Sequence, residues 1–156
     1  MKKVLIALDY NPSAQKVAES GHKLAKSMNA QTILLHVVSD FTYYSSLNYS
    51  PIMGFQNFSN AVETEGGSEL KRVALNYLDR SKQHLKDETI HTIVKSGDFA
   101  KAILETAKEL EADVIVMGTH SRRGLEKILV GSVAEHVLNQ SLIPLFIIPT
   151  RAMEEN

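Results

Sequence analysis

The sequence predicts an α/β protein: a doubly wound, five-stranded parallel sheet with strand order 3-2-1-4-5 and helices on both faces. Three observations carry this. Short apolar runs alternate along the chain with segments whose apolar residues recur every three or four positions, so strands and helices take turns. The runs at 4–8 and 114–117 are apolar at nearly every position, as strands covered on both faces are. The chain has 156 residues, of which 44% are hydrophobic, which suits one domain with a core of its own.

Residues 4–8 give the first strand. Asn11-Pro12 then reads as a helix N-cap with proline at the first helical position. Ala14, Val17, Ala18, Gly21, Leu24, Ala25 and Met28 make one apolar helix face. Residues 32–38 are the second strand. A second helix over 70–85 is marked by Leu70, Val73, Ala74, Tyr77, Leu78 and Leu85. Residues 89–94 form a third strand of mixed polarity. Gly97-Asp98 opens a third helix containing Ala100, Ile103, Leu104, Ala107 and Leu110. Residues 114–117, 132–140 and 145–148 complete the series as strand, helix and strand.

Right-handed crossovers leave few topologies open. The mixed third strand belongs at an edge, and the two most apolar strands, first and fourth, belong side by side at the centre. The domain spans 1–150, with 151–156 as a tail. Residues 39–66 form a long insertion without clear periodicity. It holds six of the ten aromatics: Phe41, Tyr43, Tyr44, Tyr49, Phe55 and Phe58. Its aromatics either pin it to the domain or make it a lid or partner surface.

Composition excludes several classes. Seventeen Lys plus Arg against eighteen Asp plus Glu give no general case for nucleic-acid binding. The absence of cysteine removes disulfides and thiolate metal sites. The apolar run after Lys2-Lys3 stops at Asp9, too early for a signal-peptide core. No apolar stretch approaches the roughly 20 residues that cross a bilayer. A soluble cytoplasmic protein is expected.

A doubly wound sheet binds ligands beyond the carboxyl ends of its strands, where the strand order reverses. Here that point lies between the first strand, ending at Leu8-Asp9, and the fourth, ending at Met117-Gly118-Thr119-His120. The second of these loops has features that suit an anion. Glycines at 118, 124 and 131 allow close backbone approach, and Gly131-Ser132 opens a helix whose first N–H groups favour phosphate. Ser132-Val133-Ala134-Glu135 also reads as a capping box, and both roles can coexist.

With Gly118, Ser121, nine residues and then Gly131-Ser132 in register, the chain resembles the universal stress proteins of the ATP-binding type, which carry Gly-x-x-Gly, nine residues, then Gly-Ser or Gly-Thr. The likeness extends over 3–9, over Leu34-Leu35-His36-Val37, and over both flanks of the loop, 113–120 and 124–137. Ser121 stands where that motif has its second glycine. The resemblance implies ATP as ligand, with Mg²⁺ near Asp9, and Asp9 on the ribose with Ala7 and Leu8 beside it. It places the Val37 backbone at the adenine edge, Met117 and Gly118 flanking the nucleotide, and Ser121, Gly131, Ser132 and Val133 around the phosphates. His120 and Arg122 belong to the same loop. His120 either hydrogen-bonds a phosphate or caps the turn, Arg122 and Arg123 are phosphate ligands or a solvated basic pair, and Asp9 could equally be a strand-end turn residue. His36 is the other histidine that could converge on the site.

The resemblance also implies a homodimer through 145–148. An edge strand apolar on both faces, bracketed by Pro144 and Pro149, invites such pairing. The expected function is a nucleotide-dependent stress-response regulator with an unknown protein partner. The runner-up is a dimeric adaptor that has lost nucleotide binding, with Ser121 in its favour. No Walker lysine and no evident water-positioning base are present, so at most slow hydrolysis is expected. The signatures of adenylyl transferases and ATP pyrophosphatases are absent near the first strand. A phosphoacceptor domain lacks its acid at 94–95 and its lysine after 148.

Overall fold

A computed structural model describes residues 1–39, 55–119 and 131–150, with 55–68 described by backbone alone. Among the described residues, five strands, β1 (Lys3–Ala7), β2 (Gln31–Val38), β3 (His91–Ser96), β4 (Val114–Gly118) and β5 (Leu145–Ile148), alternate with four helices, α1 (Ala14–Ser27), α2 (Phe55–Leu85), α3 (Phe99–Glu109) and α4 (Ser132–Gln140). The strands form one parallel sheet in the order β3-β2-β1-β4-β5, as expected. Ile6 pairs with Leu34 on one side and Val116 on the other, so the two most apolar strands are indeed central neighbours.

The two-residue period of the strands divides the core between the faces of the sheet. Val4, Ile6, Leu8, Leu34 and Val116 pack with Ala14, Val17, Ala18 and Ala25 of α1 and Leu78 of α2. Leu5, Ile33, Leu35, Val37, Ile115 and Met117 pack with Ala100, Ile103 and Ala107 of α3 and Val137 of α4. Each fully buried aliphatic side chain contributes about 1.5–3 kcal/mol. Both edge strands are only partly covered. β3 has the mixed polarity an edge tolerates, and Phe146 of β5 is 41% exposed.

Several boundaries differ from the sequence reading, each for a local reason. α1 starts at Ala14, because Asn11 builds a turn first: its Oδ1 accepts from the Ser13 N–H (3.0 Å) and hydroxyl (2.7 Å), and its carbonyl accepts from the Ala14 N–H (2.9 Å). β3 starts at His91, because Asp87 Oδ1 holds the N–H (2.9 Å) and hydroxyl (2.5 Å) of Thr89 in a turn. The insertion expected over 39–66 is shorter, since α2 begins at Phe55. The rest of that segment, 40–54, lies outside the described residues. α3 begins as expected: Gly97 has φ 122°, and Asp98 caps the helix by accepting from the Lys101 N–H at 2.9 Å.

Candidate functional site

The carboxyl ends of β1, β2 and β4 and the first turn of α4 enclose a cleft of about 360 Å³. Among its lining residues are Ala7, Leu8, Asp9, Val37, Met117, Gly118, Ser132 and Val133, so segments far apart in sequence converge where the strand order reverses. Gly131, next to the lining residue Ser132, is the N-cap of α4. His120, Ser121, Arg122 and Arg123 lie outside the described residues.

One end of the cleft is apolar. Val37 and Met117 are 4% and 5% exposed and belong to the core cluster with Ile103. Val37 thus presents the cleft with a strand edge while its side chain serves the core. Leu35, Phe99, Ile103 and Ala134 complete the apolar lining. The sequence reading did not single these out for the site. Phe99 and Ile103, four apart on α3, carried the helical-face signal that could have found them.

The other end suits an anion. Gly131 caps α4 with φ −63° and ψ 163°, an extended conformation open to any residue. The expected capping box is therefore not formed: Ser132 is the first helical residue, one position inside the cap. The first intrahelical bond runs from the Glu135 N–H to the Gly131 carbonyl at 2.8 Å. The N–H groups of Ser132, Val133 and Ala134 precede it and have no acceptor within the helix. They lie at the positive end of the helix dipole.

Asp9 is the acidic side chain among the described lining residues. Its Oδ1 accepts from the Asn11 N–H at 2.9 Å, so it does serve as a strand-end turn residue, and that bond fixes how the carboxylate is presented. Its carbonyl accepts from the Tyr77 hydroxyl of α2 at 2.5 Å. The preceding carbonyl, Leu8, accepts from His36 Nδ1 at 2.7 Å. A carbonyl can only accept, so Nδ1 carries the proton and Nε2 is the bare nitrogen. His36 is 3% exposed, and its Nε2 has no partner among the described residues. Burial pushes the His36 pKa down, against the opposing pull of the Leu8 carbonyl and the Asp9 charge. Burial first, and then the Asp9 charge, push the Tyr77 phenol up. The His36 ring stacks on Tyr10 at 4.2 Å, and Tyr77 meets Tyr10 edge-on at 5.0 Å.

Gly118 serves packing. A Cβ there would lie 2.8 Å from Val17 Cγ2 and 2.9 Å from Thr150 Cγ2. No group of three or more metal-ligating side chains occurs among the described residues, and no described helix is long and apolar enough to cross a membrane.

Residues 1–149 match the sequence model of the Universal stress protein family. Universal stress protein MJ0531 of Methanocaldococcus jannaschii is 30% identical, over 94% of this chain and 81% of the relative. Universal stress protein MJ0577 of the same organism is 29% identical, over 94% of each. Among solved structures, that of MJ0577 superposes with a TM-score of 0.66 at 26% identity over 95% of both chains. A universal stress protein in complex with cAMP superposes at 0.61, with 22% identity, over 96% of this chain and 97% of the other.

Proposed function

The chain belongs to the universal stress protein family, and on that premise we propose that it binds an adenine nucleotide, ATP with Mg²⁺, and acts as a nucleotide-dependent stress-response regulator. One observation carries the reading: a single cleft joins an apolar slot to unpaired helix N–H groups, with a carboxylate at Asp9. A purine, a phosphate chain and a ribose need these three surroundings. The base lies against Val37, Met117 and Ile103. Asp9 hydrogen-bonds the ribose, with Ala7 and Leu8 behind it. The phosphates meet the N–H groups of Gly131, Ser132 and Val133, joined by His120, Ser121 and Arg122 of the preceding loop, while Met117 and Gly118 flank the nucleotide. Mg²⁺ would arrive with the phosphates, and Asp9, the acidic side chain among the described lining residues, would help to hold it. The relative in complex with cAMP binds an adenine nucleotide on the same fold, which supports the choice of base.

Residues 1–150 act as one nucleotide-binding domain. Assembly is as a homodimer through β5, in the cytoplasm. Phe146 on β5, Leu138 near the end of α4 and Leu142 in the connection between them are 41%, 53% and 101% exposed, apolar surface that a second copy would cover. Calorimetric titration with ATP, AMP and cAMP, with and without Mg²⁺, tests the reading. ATP bound at one per chain, more tightly with Mg²⁺, is expected. No heat with any of the three would leave the adaptor function in its place.

A further inference from the structure

The segment that follows β1 is held by side chains of β2 and α2. Two successive carbonyls, Leu8 and Asp9, accept from side chains of other elements, His36 on β2 at 2.7 Å and Tyr77 on α2 at 2.5 Å. The Asp9 carboxylate is held in turn by the Asn11 N–H at 2.9 Å. Tyr10, next in the chain, is fixed between the same two side chains, stacked on His36 and edge-on to Tyr77. Tyr77 and His36 meet at 5.9 Å between ring centroids. The Asp9 backbone thus has little freedom to rotate its carboxylate away from the cleft. Tyr77 lies on the opposite face of the sheet from the apolar slot, in the helix that follows the insertion.

We propose that Tyr77 is a positioning residue for nucleotide recognition: its hydroxyl, bonded to the Asp9 carbonyl, fixes the angle at which the Asp9 carboxylate meets the ribose. It touches no ligand and acts through Asp9, with the Tyr10–His36 stack behind it. This rests on the nucleotide-binding reading above. The consequence is selective. Tyr77 matters for the ribose hydroxyls and not for the base or the phosphates, which other elements hold.

The variant is Tyr77→Phe, which keeps the ring and both ring contacts and removes only the hydroxyl. Affinities for ATP and for 2′,3′-dideoxyATP are measured on wild type, Tyr77→Phe and Asp9→Ala, with thermal unfolding as a check on folding. Wild type prefers ATP, and Asp9→Ala loses the preference. Tyr77→Phe narrows it about three- to tenfold, the range of one hydrogen bond, with unchanged affinity for the dideoxy nucleotide. A Tyr77→Phe protein with the full wild-type preference overturns the inference alone. So does one weakened equally for both nucleotides, which would mark a merely structural role. Wild type that binds neither nucleotide overturns the proposed function and this inference together.

Discussion

Replacing Gly118 by alanine separates two reasons for a glycine in the cleft wall. Gly97 is the glycine with positive φ among the described residues, so Gly118 is not there for its backbone conformation. The added methyl would sit 2.8 Å from Val17 Cγ2 and 2.9 Å from Thr150 Cγ2, closer than carbon atoms pack. Neither neighbour moves freely. Val17 is 3% exposed against the β1 face, and Thr150 is 1% exposed. The Thr150 hydroxyl donates to the Thr119 carbonyl, and its N–H donates to Thr119 Oγ1 at 3.1 Å. Overpacking of this kind costs about 1–3 kcal/mol. For a chain of this size that lowers Tm by about 2–12 °C, read by circular dichroism with nucleotide removed. Val17→Ala alone deletes two methyl groups, a loss of about 1.6 kcal/mol at ~0.8 kcal/mol each. In the double variant the new methyl occupies the vacated space, so the combined loss falls short of the sum by about 1 kcal/mol. A Gly118→Ala protein with wild-type Tm that loses only nucleotide would refute the packing argument, since the glycine would then serve the ligand. Strict additivity with Val17→Ala would refute the geometry.

Stability should also depend on pH through His36. Its folded-state pKa lies below the ordinary 6.5, so the unfolded chain takes up the proton first as pH falls. The His36 contribution is complete above about 6.5 and declines as pH drops from there to the folded pKa; a His36→Gln variant should show a flatter denaturant midpoint over that window, and an identical slope would contradict the burial argument. Phe146→Asp places a charge on the β5 edge and should convert dimer to monomer in light scattering at micromolar concentration; monomeric wild type, or dimeric variant, would remove β5 as the interface.

The strand order was legible because burial writes itself into composition. Strands covered on both faces, such as 4–8 and 114–117, are apolar throughout, and the edge at β3 is mixed. The cleft followed from that order, since the switch point is a property of topology. The start of α2 was not legible: residues 55–66 include Asn57, Ser59, Asn60 and Thr64, which carry no apolar period. Ser132 and Gly131 are both acceptable N-caps, so the pattern Ser-x-x-Glu could not say which residue takes the position. The bond from Tyr77 to Asp9 spans 68 residues and leaves no local trace, because only the packing of α2 on the sheet brings them together. His36 read as part of an apolar strand and as a histidine that could converge on the site, which it lines; that its Nδ1 holds Leu8 is visible only once β1 and β2 are paired.

The most direct test of nucleotide binding is to purify the protein without added nucleotide, denature it and identify what is released by chromatography and mass spectrometry. ATP or ADP near one per chain is the expected result. Gly131→Val, whose extended backbone tolerates the side chain but whose bulk would stand over the first N–H groups of α4, should then release none while staying folded. Wild-type protein that releases no nucleotide and binds no added ATP with Mg²⁺ would contradict the account.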